Sequence, residues 1–224
     1  MKNNNKINSI KIKNLQSEGV VFVDVDRVEI RGNLICGADV EIDTNVILEG
    51  DVILGDSVKL GPNSIIKSST IGAFSEIKAF SLLNNCKVGD YCIVGPYARL
   101  RTATTLEKKC QIGNFVEIKN SSIGSNCRIN HMAFIGDATL GNNVTIGAGT
   151  ITCNHNGIEI NKTLIESGAY IGSNVNLIAP VRIAKNATIG SGSTITKDTS
   201  EGELTLARSE QVEIKGWKGP KQIK

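Results

Sequence analysis

The fold is decided by residues 110–152, CQIGNFVEIKNSSIGSNCRINHMAFIGDATLGNNVTIGAGTIT, where a large and nearly always aliphatic residue returns every five or six positions. A small or β-branched residue stands two positions before each of them. Because residues i and i+2 of a strand point to the same side, each unit predicts a short strand with one large and one small inward side chain. The large positions are Ile112, Ile118, Ile123, Ile129, Ile135, Leu140, Ile146 and Thr152.

The same register extends outward from this stretch and covers most of the chain. It starts at Cys36, is interrupted after Thr152, resumes at Ile165 and ends at Ile195. Of its large positions, only Cys36 and Thr152 are not aliphatic. Glycine followed by Asp, Asn or Ser separates many units, which is turn chemistry. Three such strands close one coil of about 17 or 18 residues, so we predict an all-β parallel β-helix of about nine coils.

The composition supports a narrow core and argues against several other classes of protein. Aromatic residues make up only 4%, as expected for a thin core, and the strands of a two-sheet sandwich do not keep a six-residue register for so long. The net charge of +3 is too small to indicate nucleic acid or a membrane surface as a partner. No apolar run reaches the ~18 residues that span a bilayer, and residues 1–14 lack the apolar segment of a secretory signal. We therefore expect a cytoplasmic protein.

The six cysteines and two histidines predict no metal site. In the cytoplasm thiols stay reduced, and cysteines at inward positions act as small hydrophobic residues. No two cysteines have the close spacing of a zinc site, and two histidines cannot supply the three-histidine zinc site of a carbonic anhydrase. The cysteines at small inward positions are Cys86, Cys92, Cys110 and Cys127.

Function is expected where the repeat fails. Residues 153–164, CNHNGIEINKTL, interrupt the β-helix of residues 27–199 and have to project from it as a loop. A polar lead-in, residues 1–26, precedes the repeat, and a tail, residues 200–224, follows it with Trp217, the only tryptophan. Flat coil faces need covering, so we predict a homo-oligomer in which the tail contacts a neighbouring subunit.

Three polar residues stand out from the repeat itself. His131 lies midway between two inward residues, at a predicted corner, and histidine is the natural general base near neutral pH. Arg101 and Lys119 are one coil apart, so they are expected to stack on one edge, where two cations suit a phosphate. The residues alone leave open that all three are solvated surface groups.

A family resemblance is carried by residues 95–157, with the motifs ARLR (98–101), NFVEIK (114–119) and IGAGTITCN (146–154). This part resembles the C-terminal domain of the bifunctional bacterial N-acetylglucosamine-1-phosphate uridyltransferase / glucosamine-1-phosphate acetyltransferase, a member of the hexapeptide-repeat acyltransferase superfamily. The likeness extends over residues 19–220. It implies left-handed coils, a homotrimer with active sites between subunits, and acetyl-CoA as co-substrate without a metal.

The resemblance also implies a role for individual residues. His131 corresponds to the general base, and Arg101 and Lys119 correspond to residues that bind the sugar phosphate. Phe134 and Thr145 fall at positions that line the acceptor pocket. The positions implied for acetyl-CoA are Ala148, Asn154, His155, Ser173, Ser191 and Arg208.

The departures from the family pattern concern the acceptor more than the base. Phe134 stands where the family has tyrosine, Thr145 where it has asparagine, and Ile160 where it has a lysine that contacts the sugar; His155 replaces a tyrosine. A lost polar contact changes discrimination between substrates strongly. Residues 1–27 contain no glycine-rich nucleotide loop, so no uridyltransferase activity is expected, which leaves a separate uridyltransferase open as a partner.

We therefore predict an acetyl-CoA-dependent N-acetyltransferase for glucosamine-1-phosphate. An N-acetyltransferase for a different amino sugar, such as a nucleotide-linked one, remains open because of the altered acceptor positions. A non-catalytic β-helix scaffold also remains open, although a scaffold has no need of a histidine at position 131.

Overall fold

The computed structural model describes residues 2–217 and Gly219, which form one solenoid preceded by a helix. Helix α1 spans Lys2–Ser17, and a short 3-10 helix spans Val25–Arg27. All strand pairs of the solenoid are parallel, and the chain winds through about ten left-handed turns. The predicted all-β, left-handed parallel β-helix is confirmed, with one turn more than the nine expected.

Three flat faces, here called A, B and C, form the sides of the solenoid. The strands, numbered in chain order, return to the same face every 17 or 18 residues except across the loop after Cys153. The strands of face A are β1 Val21–Phe22, β3 Glu41–Ile42, β5 Lys59–Leu60, β8 Glu76–Ile77, β11 Ile93–Val94, β14 Gln111–Asn114, β17 Arg128–His131, β20 Thr145–Ile146, β23 Tyr170–Ile171, β26 Thr188–Ile189 and β28 Leu204–Thr205.

Faces B and C are joined by two long strands that run around their common corner, β2 Glu29–Cys36 and β4 Ile47–Leu54. The other strands of face B are β6 Ile65–Lys67, β9 Leu82–Asn84, β12 Arg99–Leu100, β15 Glu117–Lys119, β18 Phe134–Gly136, β21 Ile151–Cys153, β24 Asn176–Ile178 and β27 Thr194–Ile195. Those of face C are β7 Thr70–Ile71, β10 Cys86–Val88, β13 Thr104–Leu106, β16 Ser122–Ile123, β19 Ala138–Leu140, β22 Thr163–Ile165 and β25 Val181–Ile183.

The core is the column of inward side chains that the repeat predicts. Every large position from Ile42 to Ile195 is buried, including Thr152, and Cys36 at the start is half-buried. The small positions are buried as well, among them the four cysteines expected there. The large–small alternation therefore confirms which side of each strand faces the core.

The two ends of the solenoid differ from the sequence expectation. The first 26 residues are not merely a polar lead-in, because α1 packs Ile12 and Leu15 against the first coil and donates a hydrogen bond from Lys11 Nζ to the Gly32 carbonyl at 2.5 Å. At the other end the repeat continues beyond residue 199, since β28 pairs with β26 on face A. The beginning of the tail is therefore part of the solenoid, and its last residues, 220–224, lie outside the described residues. No helix in the described part of the chain is long and apolar enough to cross a membrane.

Ile112→Ala tests the inward assignment. Ile112 is 1% exposed, and its truncation leaves a cavity that the neighbouring coils cannot close, so we expect the free energy of unfolding to fall by about 2–5 kcal/mol. The matched control is Gln111→Ala, on the outward side of the same strand, which should cost under about 0.5 kcal/mol. Urea unfolding followed by circular dichroism measures both, and equal losses would contradict the assignment.

Candidate active site

The candidate site begins at the corner between faces A and B, where β17 ends with His131. Strand register places four corner residues in one line along the solenoid, because Ile129 pairs with its equivalents in the following coils and each corner residue comes two positions later. We call this line the corner column; it consists of His131, Ala148, Ser173 and Ser191. At ~4.8 Å between neighbouring strands the column is about 14 Å long.

His131 is held by a neighbour in the preceding coil. Its Nδ1 lies 2.9 Å from Oδ1 of Asn114, the residue paired with it on face A. An amide oxygen only accepts, so Nδ1–H donates and Nε2 keeps its lone pair. The ring is exposed, which leaves Nε2 able to take a proton from a bound molecule. Sequence reasoning missed Asn114, although its spacing of 17 residues from His131 is one coil.

The backbone of the column leaves one donor open. The Ala148 carbonyl accepts from the Asn174 N–H at 2.7 Å, but the Ala148 N–H has no acceptor among the residues that the structure describes. The equivalent N–H of Ser173 does have one, since it donates to Ser191 Oγ at 3.1 Å. The Ala148 N–H is therefore available to an oxygen atom that comes from outside the chain.

The far end of the column is joined by the tail. Arg208 Nη1 donates to the Ser191 carbonyl at 2.9 Å, so the exposed guanidinium lies beside the last residue of the column. Of the six positions that the resemblance implies for acetyl-CoA, the structure thus brings four together, namely Ala148, Ser173, Ser191 and Arg208.

Arg101 and Lys119 lie at the opposite edge of face B, near its corner with face C. They occupy equivalent positions in consecutive coils, as predicted. Glu117 contacts Arg101 at 2.7 Å and Arg99 at 3.6 Å, whereas Lys119 makes no ion pair with a described residue. These partly exposed pairs contribute only about 0–1 kcal/mol each, so an anion can compete for the cations. Glu117 is a further site residue that the sequence analysis did not identify.

Phe134 lies between the two edges of face B. It stacks in register between Glu117 and Ile151, and its ring covers Gly136 so closely that a Cβ there would come within 2.7 Å of two ring carbons. Thr145 lies around the corner on face A, between Arg128 and Tyr170. One chain therefore does not bring Phe134 and Thr145 onto the same surface.

The projecting loop leaves the solenoid at the corner between faces B and C, and it occupies residues 154–162, between β21 and β22. Asn154 begins it, and His155 forms an isolated antiparallel bridge with Ile160. His155 and Ile160 are exposed. Within one chain, Asn154 and His155 are therefore separated from the corner column by the width of face B.

Thiol and metal chemistry find little support around the site. Cys153 is the cysteine at the base of the loop, and partial burial raises the pKa of its thiol. A protonated thiol is a poor nucleophile, so Cys153 does not suit the role of an acyl carrier. Among residues 2–217 and 219, no group of three or more His, Cys, Asp or Glu side chains could hold a metal ion.

Several known proteins are similar to this chain. The family described as bacterial transferase hexapeptide (six repeats) matches residues 162–197. A bifunctional protein GlmU from Nitrosomonas eutropha is 50% identical over 212 residues, which cover 95% of this chain and 46% of that protein. The GlmU protein of Ralstonia pickettii is 49% identical over 206 residues, or 92% of this chain and 45% of the relative. The chain therefore spans about half the length of the curated relatives it matches.

The fold is also found in a solved structure. An Arabidopsis UDP-N-acetylglucosamine acyltransferase superimposes with a TM-score of 0.61 at 16% identity, covering 84% of this chain and 70% of that one. At this identity the likeness shows the fold alone. The relatives named GlmU confirm the resemblance that the sequence motifs indicated, to the C-terminal acetyltransferase domain of that family.

We expect the two histidines to show opposite neutral tautomers. His131 should carry its proton on Nδ1, whereas His155 should carry it on Nε2, because its Nδ1 accepts from the Gly157 N–H at 3.2 Å. Long-range ¹⁵N–¹H correlation spectra distinguish the two forms. Asn114→Ala should abolish the preference of His131 and leave the signals of His155 unchanged. A His131 spectrum that does not respond to this substitution would contradict the contact.

Proposed function

We propose that this chain, which is related over nearly its whole length to the C-terminal acetyltransferase domain of the bifunctional GlmU proteins, is an acetyl-CoA-dependent N-acetyltransferase. The acceptor is glucosamine-1-phosphate, and the product is N-acetylglucosamine-1-phosphate for nucleotide-sugar and cell-wall precursor synthesis. The observation that carries the proposal is the exposed Nε2 of His131, oriented by Asn114 at the head of the corner column. The reaction belongs to the cytoplasm, where the free thiols stay reduced.

The chemical step needs a base and a donor for an oxyanion. His131 Nε2 takes a proton from the amino group as the nitrogen attacks the thioester carbonyl, because a protonated amine has no lone pair to attack with. The Ala148 N–H stabilises the negative charge that develops on the carbonyl oxygen. The C–S bond then breaks and the CoA thiolate takes up the proton. Both substrates are bound at once, and no acyl-enzyme is formed.

Acetyl-CoA follows the corner column. Ser173 and Ser191 line its course, and the guanidinium of Arg208 at the far end suits a phosphate of the CoA molecule. Asn154 and His155, on the projecting loop, complete the binding site. Because face B separates this loop from the column within one chain, the loop of a neighbouring subunit supplies these two residues.

The acceptor lies on face B, with its phosphate at Arg101 and Lys119. Lys119 is free of ion pairs in the described part of the chain, and Glu117 keeps Arg101 extended along the same edge. Phe134 provides an apolar wall for the sugar ring, and Thr145 reaches the acceptor from face A of an adjoining copy.

The complete enzyme is a homotrimer, and a second surface supports this. Four apolar side chains stand in line next to the corner column, and we call them the corner ladder: Phe80, Tyr97, Phe115 and Met132. The three rings stack at centroid distances of 4.9 and 5.4 Å, and Phe115 and Met132 are 60% and 66% exposed. All four have φ between 46° and 60°, which bulky residues rarely adopt, so these side chains are held outward by a costly backbone conformation. An exposed apolar line of this kind fits contact with another copy.

A different amino sugar is a second candidate acceptor, and the apolar character of the pocket favours it. Phe134 presents no hydroxyl, and Ile160 places an apolar side chain on the exposed part of the loop. Loss of hydrogen-bonding groups at two positions favours an acceptor with fewer polar groups there, such as one whose hydroxyl is modified or whose phosphate carries a nucleotide.

Thiol release from acetyl-CoA tests the activity, with glucosamine-1-phosphate, free glucosamine and a UDP-linked amino sugar as acceptors. We expect glucosamine-1-phosphate to give the highest kcat/KM. His131→Ala should lower kcat by about 10²–10⁴ without changing the melting temperature, because only the base is lost. Asn126→Ala, at an exposed corner of the same coil, is the matched control and should retain full activity.

The alternative outcomes of this assay separate the functions. Release only with the UDP-linked sugar would move the assignment to the second acceptor. Absence of release with every acceptor, from folded protein that binds CoA, would reject the enzymatic function in favour of a scaffold. Turnover unaffected by His131→Ala would remove this residue from the mechanism.

Phe115→Ser tests the corner ladder as a subunit contact. The parent should sediment with three times the mass of one chain, and the variant should dissociate and lose turnover, because each site needs residues from neighbouring copies. The matched control is Phe74→Ser. Phe74 is 53% exposed, has φ 58° and stacks on Tyr91 at 5.0 Å, but it lies at the corner between faces A and C. A monomeric parent, or equal dissociation of the two variants, would contradict the assignment.

A further inference from the structure

A buried carboxylate outside the proposed chemistry lies directly beneath the projecting loop. Asp137 is 5% exposed and sits at the corner between faces B and C, between β18 and β19. Asn120 Nδ2 donates to its Oδ1 at 2.5 Å, and Asn154 Nδ2 donates to its Oδ2 at 2.5 Å. Each asparagine is 17 residues away, so the three side chains stack in consecutive coils. A buried carboxylate is costly unless it is paired, and two amide donors satisfy it here.

The backbone of Asp137 makes two further contacts. Its N–H donates to the Lys119 carbonyl at 3.0 Å, and its carbonyl accepts from the Thr163 N–H at 3.2 Å. Asn154 is the first residue of the loop, and Thr163 is the first residue after it. Asp137 therefore holds both ends of the loop and is bonded to the strand that carries Lys119.

The solenoid itself does not require a carboxylate at this corner. Asn85 and Ala103 occupy the equivalent position in earlier coils with φ of 49° and 60°, close to the 51° of Asp137. Ala103 has no side chain that could form a hydrogen bond, and the coils stack there without interruption. The carboxylate occurs at the one corner of this column from which the chain leaves the repeat, so its contacts serve the loop rather than the coil.

We propose that Asp137 is a positioning residue that fixes the projecting loop, residues 154–162, relative to Lys119 and Asn120. This inference rests on the proposed function, in which Asn154 and His155 bind acetyl-CoA and Lys119 binds the acceptor phosphate. The carboxylate is the only link through side chains between the two groups among the residues that the structure describes. Without it, Asn154 loses its partner and the loop samples orientations that do not bind acetyl-CoA.

The test compares Asp137→Ala, Asp137→Asn and Asn85→Ala, the last as the matched control at the same corner. A charge-assisted hydrogen bond is strong enough that Asp137→Ala should raise the KM for acetyl-CoA about tenfold to a hundredfold. The kcat at saturating acetyl-CoA should stay within about threefold, because the base is untouched. Hydrogen–deuterium exchange of residues 154–162 should become faster in the same variant, and Asn85→Ala should alter neither quantity.

A rescue by exchange of the two side chains makes the test specific. In Asp137→Asn one of the two amide donors has no acceptor, so the KM should rise by less than in Asp137→Ala. Adding Asn120→Asp moves the carboxylate down one coil: the amide nitrogen at position 137 donates to it, and the amide oxygen at 137 accepts from Asn154. The double variant should therefore restore both the KM and the slow exchange of the loop.

The outcomes distinguish failure of this inference from failure of the proposed function. If the parent is active but Asp137→Asn changes neither the KM nor the loop exchange, the positioning role is wrong. If the parent releases no thiol with any acceptor, the proposed function fails, while the exchange of residues 154–162 and its rescue still decide whether Asp137 holds the loop. Should Asp137→Ala not fold, Asp137→Asn and the double variant supply the same comparison.

Discussion

The structure depends on one packing constraint: each strand has room for one large and one small inward side chain, and consecutive coils must superimpose these pairs. The parallel ladders keep the coils about 4.8 Å apart, so a shift of one residue would turn a buried Ile or Leu outward. Register is therefore fixed along the whole solenoid. As a result, residues 17 or 18 apart are neighbours in space, and corner side chains form columns of contacts.

These columns explain where the chemistry lies. At the corner between faces A and B, Asn114 orients the ring of His131 from one coil below, and Ala148 follows one coil above. At the corner between faces B and C, Asp137 lies between Asn120 and Asn154 in the same manner. Face B separates the two corners by three residues, roughly 10 Å at the rise of a strand. A substrate pair that spans this face can touch both.

The sequence predicts the part of the structure that follows from the repeat. The inward positions, the corner location of His131 and the stacking of Arg101 on Lys119 all come from counting residues. Helix α1 was not predicted, because what it packs against, the open end of the first coil, exists only in the folded chain. Asn114, Glu117 and Asp137 were missed for a related reason. Spacing gives their column, but only side-chain direction shows which neighbour each one contacts.

The covered end of the solenoid has a consequence for how chains of this shape avoid forming fibres. A parallel β-helix has an unpaired row of backbone N–H and C=O groups at each end, and such an edge is a template for pairing with another chain. Here α1 lies across the first coil, with Ile12 and Leu15 buried and Lys11 bonded to the carbonyl of Gly32. A second molecule therefore cannot add its last coil to the first coil of this one. End-to-end polymerisation is blocked by a helix of which only a few residues touch the solenoid.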